Sequence, residues 1–208
     1  MFETDTLIAF VTAAVILSFI PGPDNLFVLT QSAIRGKTTG IVVTLGLCTG
    51  LIAHSVAVAF GVAAIFQTSQ TAFTVLKVIG AAYLLYLAFQ AFRAKPDDLG
   101  EASTQNRGLL KMYVRGILMN VTNPKVAIFF LAFLPQFTAP DQGNMAMQML
   151  VLGGLFIVSA LVSFSAISLA AGALSHWIRT SAKGQIILNR IAGVIFLGLA
   201  AKLVTAEN

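Results

Sequence analysis

The sequence predicts an all-α integral membrane protein: six transmembrane helices arranged as two inverted three-helix repeats, with the first and fourth helices broken. Three observations carry that expectation. Of 208 residues, 57% are hydrophobic and 10% charged, far from the mixed composition of a soluble domain. The apolar residues are gathered into long runs separated by short polar connections. Two of those runs are interrupted near their centres by proline in company with charged and amide residues.

The runs lie at about 7–34, 39–66, 72–92, 113–137, 145–174 and 186–204, and each reaches the roughly 20 residues that cross a bilayer as a helix. None shows the short alternating pattern of a membrane barrel. Glu3 and Asp5 precede the first run in place of a positive region, and the run is too long for a cleaved signal, so it is expected to stay in the mature chain. The second run carries the single cysteine, Cys48, which excludes an intrachain disulfide and reads as a small packing residue. Between the third and fourth runs lies "RAKPDDLGEASTQNRG", a solvated linker. It divides one transmembrane domain, 1–208, into repeat 1 at about 1–95, a cytoplasmic linker at about 96–110 and repeat 2 at about 111–208.

The net charge of +5 does not point to nucleic acid, because the basic residues are sorted by connection. Arg35 and Lys37 follow the first run; Arg93, Lys95, Arg107, Lys111 and Arg115 surround the linker; Arg179, Lys183 and Arg190 surround the connection of the last two runs. Cytoplasmic loops collect Lys and Arg. Both termini are therefore expected on the external side of a bacterial cytoplasmic membrane.

The second and fifth runs carry small residues at the same helical spacing, Gly46, Gly50, Ala53 and Ala57 against Ser159, Ser163, Ala166 and Ala170. At that same offset Gly40 matches Gly153, Ser55 matches Ser168, Gly80 matches Gly193 and Leu84 matches Leu197. Runs one and four match at a shorter offset, Ile16 with Ile117, Leu17 with Leu118 and Pro23 with Pro124. A repeat of three crossings must enter the membrane from the opposite face. Inverted repeats of this kind hold substrate and coupling ion near the midplane, and the small stripes would let helices 2 and 5 approach closely.

In "FIPGPDNLFVLT", Pro21 and Pro23 remove amide donors and push Ile20 and Gly22 out of helical geometry. The helix should break there and restart with Pro23 in its first turn. In "NVTNPKVAIFF", Asn123 is a candidate N-cap and Pro124 the first helical residue. Each break frees carbonyls at the end of one half-helix and amides at the start of the next, and the restarted end favours a carboxylate. Asp24 and Lys125 are the charges well inside these spans, and intramembrane charges are functional hypotheses. A cation in the first turn of a half-helix needs an anion, either Asp24 or a substrate carboxylate. A zwitterionic amino acid fits: carboxylate at Lys125 and the half-helix amides, ammonium at Asp24 and the freed carbonyls. Asn25, Asn120 and Asn123 would add neutral hydrogen bonds. Asp24 or His54 would carry the coupling proton; His54 also reads as a packing histidine.

Pro21, Gly22, Pro23 and Asp24, with the motif N-P-K-x-x-x-F-F-x-x-x-x-P-Q-F from Asn123 to Phe137, resemble the LysE/RhtB group of bacterial amino-acid exporters over nearly the whole chain. The resemblance implies proton-driven export of amino acids from the cytoplasm through a pathway lined by the two motifs. The P-G-P form resembles the branch that handles neutral amino acids such as homoserine, threonine or leucine. The predicted partners are an amino acid, protons and membrane lipid, with a homo-oligomer left open. No cofactor is expected. An embedded enzyme lacks its motifs, H-E-x-x-H among them. The competing reading is efflux of a metal, another small ion or a small metabolite on the same scaffold, although no set of metal ligands is evident.

Overall fold

A computed structural model describes residues 2–62, 70–94, 108–139 and 142–205, the side chains of 70, 72, 73, 172–180 and 182 excepted. All the regular structure among them is helical: α1 (Thr4–Phe19), α2 (Pro23–Arg35), α3 (Lys37–Ala57), α4 (Gln70–Arg93), α5 (Leu109–Val121), α6 (Pro124–Ile128), α7 (Met145–Thr180) and α8 (Ala182–Thr205). Four helices are long and apolar enough to cross a membrane, and the count becomes six when each bent pair is one span. The pairs are α1 with α2, bent by 57°, and α5 with the segment Pro124–Phe137, bent by 49°. These are spans 1 and 4; α3, α4, α7 and α8 are spans 2, 3, 5 and 6. Most of the predicted linker lies outside the described residues.

The element ends follow local chemistry. Span 1 turns into span 2 at Gly36, whose φ of +84° suits a residue without a Cβ. Span 4 departs from the expected simple restart. After the five residues of α6 it runs through a π-helical turn, Phe129–Phe133, and a 3-10 turn, Leu134–Phe137. A second π-helical turn, Val58–Val62, closes span 2 and touches the first.

The small stripes pack differently from the expectation. Gly46 and Gly50 are buried, but against α5 of span 4 rather than against span 5: a Cβ on Gly46 would overlap the Tyr113 carbonyl oxygen, and one on Gly116 would stand 2.6 Å from the Val43 carbonyl oxygen. Ala53, Ala57, Ala166 and Ala170 are exposed. Spans 2 and 5 meet through other residues. Gly40 makes room for Ser32 and Ser168, and Gly153 makes room for Ser55. Spans 3 and 6 pair against each other, with Gly193 against the Phe92 ring, while Gly80 of span 3 lies against Ala132 of span 4 and Leu203 of span 6. Where glycine sits under a backbone or a branched neighbour, close approach replaces the hydrophobic driving force that lipid does not supply.

Candidate functional site

The break in span 1 begins where proline stops the hydrogen-bond ladder. In a continuous helix the amides of residues 21 to 24 would serve the carbonyls of Leu17, Ser18, Phe19 and Ile20. Pro21 and Pro23 have no amide hydrogen to give, and the chain is extended at Gly22, with φ −171° and ψ 177°. Two of the orphaned carbonyls receive side chains instead. The Asn25 amide Nδ2 donates to Ser18 O, and the Lys125 ammonium donates to Ile20 O over 3.3 Å. The restart is well formed, with Leu26 N donating to Gly22 O over 3.0 Å.

The bond to Ile20 explains a charge that looked misplaced. Lys125 lies in the first turn of α6, the unfavourable end of that helix dipole, but its ammonium reaches across to the C-terminal end of α1. That end carries partial negative charge. Gly22 leaves the space it needs, since a Cβ there would stand 3.2 Å from Nζ. The freed carbonyls expected to receive a substrate ammonium are thus already engaged at Ser18 and Ile20. Asp24 contributes the opposite charge that acts on Lys125. Among the described residues no ion pair joins the two; one carboxylate oxygen of Asp24, Oδ2, accepts from Asn120 Nδ2 over 3.0 Å. Asp24 also lies in the first turn of α2, where a negative charge is favoured.

The break in span 4 is closed locally. Thr122 N donates to Leu118 O and Asn123 N to Asn120 O, both over 3.0 Å. The Asn123 side chain caps the restart as expected, accepting from Lys125 N over 3.0 Å. His54 reaches this break from span 2: its Nε2–H donates to Asn120 O over 3.2 Å, and its ring lies 5.7 Å from that of Phe130. Gly50, one turn before His54, admits Asn120, whose Cβ and Oδ1 would both lie 2.8 Å from a Cβ at that position.

The structure therefore joins Asp24, Asn25, Asn120, Asn123 and Lys125 into one buried polar cluster in an apolar fold, at 1–9% exposure. Pro21, Gly22 and His54 flank it half-buried, while Pro23 and Pro124 are exposed and shape the backbone only. Four buried atoms of the cluster have no hydrogen-bond partner: Asp24 Oδ1, Asn25 Oδ1, Asn120 Oδ1 and Asn123 Nδ2. Buried polar atoms are normally paired. Sequence reasoning missed Gly50 as part of this site; its signal was the one-turn spacing from His54 on the same helix.

The LysE type translocator family model matches residues 15–207. The chain belongs to that family. It is 36% identical over 202 residues to the homoserine/homoserine lactone efflux protein of Salmonella typhimurium, covering 96% of each chain. It is 29% identical over 203 residues to the leucine efflux protein of Salmonella choleraesuis, covering 96% of this chain and 94% of that one. A membrane protein of Bacillus subtilis, YrhP, is 30% identical over 206 residues, with 95% and 97% covered. No solved structure matches the chain. The family is one of membrane transporters, not enzymes.

Proposed function

We propose that this protein exports amino acids, neutral ones in the first place, out of the cytoplasm across a bacterial cytoplasmic membrane, driven by the proton gradient. The observation that carries this reading is the set of unpartnered buried atoms at the junction of the two breaks. Asp24 Oδ1, Asn25 Oδ1 and Asn120 Oδ1 are acceptors that suit an α-ammonium. Asn123 Nδ2 and the Lys125 ammonium are donors that suit an α-carboxylate. A bare metal ion would use the acceptors and leave the donors unserved, and among the described residues no group of three or more His, Cys, Asp or Glu gathers to hold one. The names of the relatives, homoserine and leucine efflux proteins, supply the choice of amino acids to try first.

Alternating access of two inverted repeats, about 1–95 and 111–208, is the proposed mechanism, with the proline and glycine breaks as hinges. Its support is a reciprocity of contacts. Gly40 lies against Ser168 and Gly153 lies against Ser55; under the sequence match of Gly40 with Gly153 and Ser55 with Ser168 these are one contact made twice. A two-fold relation generates that pattern. Span 1 likewise packs on span 5 as span 4 packs on span 2. The basic connections support termini on the external side. Asp24 or His54 carries the coupling proton.

The test is efflux of labelled homoserine and leucine from preloaded cells. Lys125→Met and Asp24→Asn should each reduce the rate at least tenfold at equal expression. Unchanged rates for both would remove the site. In everted vesicles, uptake should cease when the proton gradient is collapsed. His54→Gln and Asp24→Asn should differ there: the variant that still binds but ignores the gradient has lost the proton carrier.

A further inference from the structure

Beyond the break, span 4 carries phenylalanine at every fourth position. Phe129, Phe133 and Phe137 follow Lys125 at that spacing, and they are joined by Phe10 from α1. Ring centroids stand 4.9 Å apart for Phe129 and Phe133, 5.1 Å for Phe133 and Phe137, 5.1 Å for Phe137 and Phe10, and 6.4 Å for Phe10 and Phe129. The four rings close a loop that runs from the polar cluster toward the side of the chain termini. All four side chains are buried. Lys202, near the end of α8, lies over it with Nζ 4.2 Å from the Phe137 centroid and 5.8 Å from that of Phe133, a cation–π contact.

The backbone under these rings is the unusual part of the molecule. In an α-helix, residues four apart drift by about 40° around the axis. Over Phe129–Phe137 the chain leaves that geometry: the π-helical turn Phe129–Phe133 winds more residues per turn, and the 3-10 turn Leu134–Phe137 winds fewer. The second π-helical turn, Val58–Val62, lies on the same side and packs against the first. Such turns are uncommon and concentrate at functional sites. Reversion of one of them to α geometry shifts the register by one residue, which swings the following side chains by about 100°.

We propose that the column of Phe10, Phe129, Phe133 and Phe137 is the barrier that closes the pathway on the side of the termini, and that it opens when the turn Phe129–Phe133 reverts to α-helix. This rests on the proposed export function, which is checked separately by binding and efflux of homoserine and leucine with the unaltered protein. The barrier is tested in a Cys48→Ala background with Phe10→Cys and Phe137→Cys joined through disulfides by a short bis-methanethiosulfonate cross-linker. Cross-linking should leave binding of homoserine or leucine in detergent within about twofold of the reduced protein, lower efflux at least tenfold, and be reversed by reductant. Efflux at the uncrosslinked rate overturns the barrier. Loss of binding along with efflux overturns it too, because the column would then belong to the site. If the double variant does not fold, Phe137→Cys alone is labelled on whole cells with a membrane-impermeant maleimide. Loading the cells with homoserine or leucine should raise the labelling rate several-fold, and a constant rate overturns the proposal.

Discussion

At the break in span 1, the carbonyls of Ser18 and Ile20 are served by two side chains, one from the restarted helix and one from the other half of the chain. At the break in span 4, the amides of Thr122 and Asn123 turn back onto Leu118 and Asn120, and Asn123 caps its own restart. The first break depends on the second; the second is closed from within, with His54 added from span 2. This difference teaches how a membrane protein can build one buried polar cluster from two broken helices. Under the proposed function, the self-contained break presents Asn120, Asn123 and Lys125 to the substrate. In that proposal the dependent break is the element expected to change its geometry when Lys125 is drawn to another partner, such as a carboxylate.

That comparison is broken most severely by removing its bridging residue. Lys125→Met should abolish detectable amino-acid export and also destabilise the fold by about 1–3 kcal/mol, because the Ile20 carbonyl is left buried and unpaired. Efflux and thermal unfolding in detergent check both effects. Asn25→Leu removes the bond to Ser18 O from the dependent break and one proposed acceptor of the substrate ammonium. It should cost a similar ~1–3 kcal/mol in stability while retaining more export than Lys125→Met, since the ammonium stays in place. Gly116→Ala presses a methyl into the Val43 carbonyl where span 4 crosses span 2. Overpacking of this kind costs about 1–3 kcal/mol, and it should appear as a lower unfolding temperature with amino-acid selectivity kept. Thr122→Ala should do least, within about 0.5 kcal/mol. Its hydroxyl is exposed and donates to a Leu118 carbonyl that the Thr122 backbone amide already serves. A large loss there would show that the span 4 break is not self-contained.

The sequence made the breaks legible because proline acts locally: Pro21, Pro23 and Pro124 dictate where a ladder stops whatever surrounds them. Asp24 and Lys125 were legible because a charge in an apolar run has few explanations. The partner of Lys125 was not. Its acceptor is a backbone carbonyl far away in the chain, and a carbonyl has no sequence signature. For the same reason Gly50 read as one of a stripe of small residues, whereas its neighbour is Asn120 from another span. The π-helical turns were hidden too. The run of phenylalanines from Phe129 reads as an ordinary apolar helix, and only the backbone of the turn Phe129–Phe133 distinguishes it.

The central claim is that Lys125 leaves the Ile20 carbonyl to receive the carboxylate of an amino acid. It is tested most directly by measuring binding of leucine and of leucinamide, which lacks the carboxylate charge, to the unaltered protein and to Lys125→Met. The account predicts that the unaltered protein prefers leucine at least tenfold, about 1.4 kcal/mol, and that Lys125→Met binds the two equally and weakly. Equal binding of leucine and leucinamide by the unaltered protein, or a preference that survives in Lys125→Met, would contradict it.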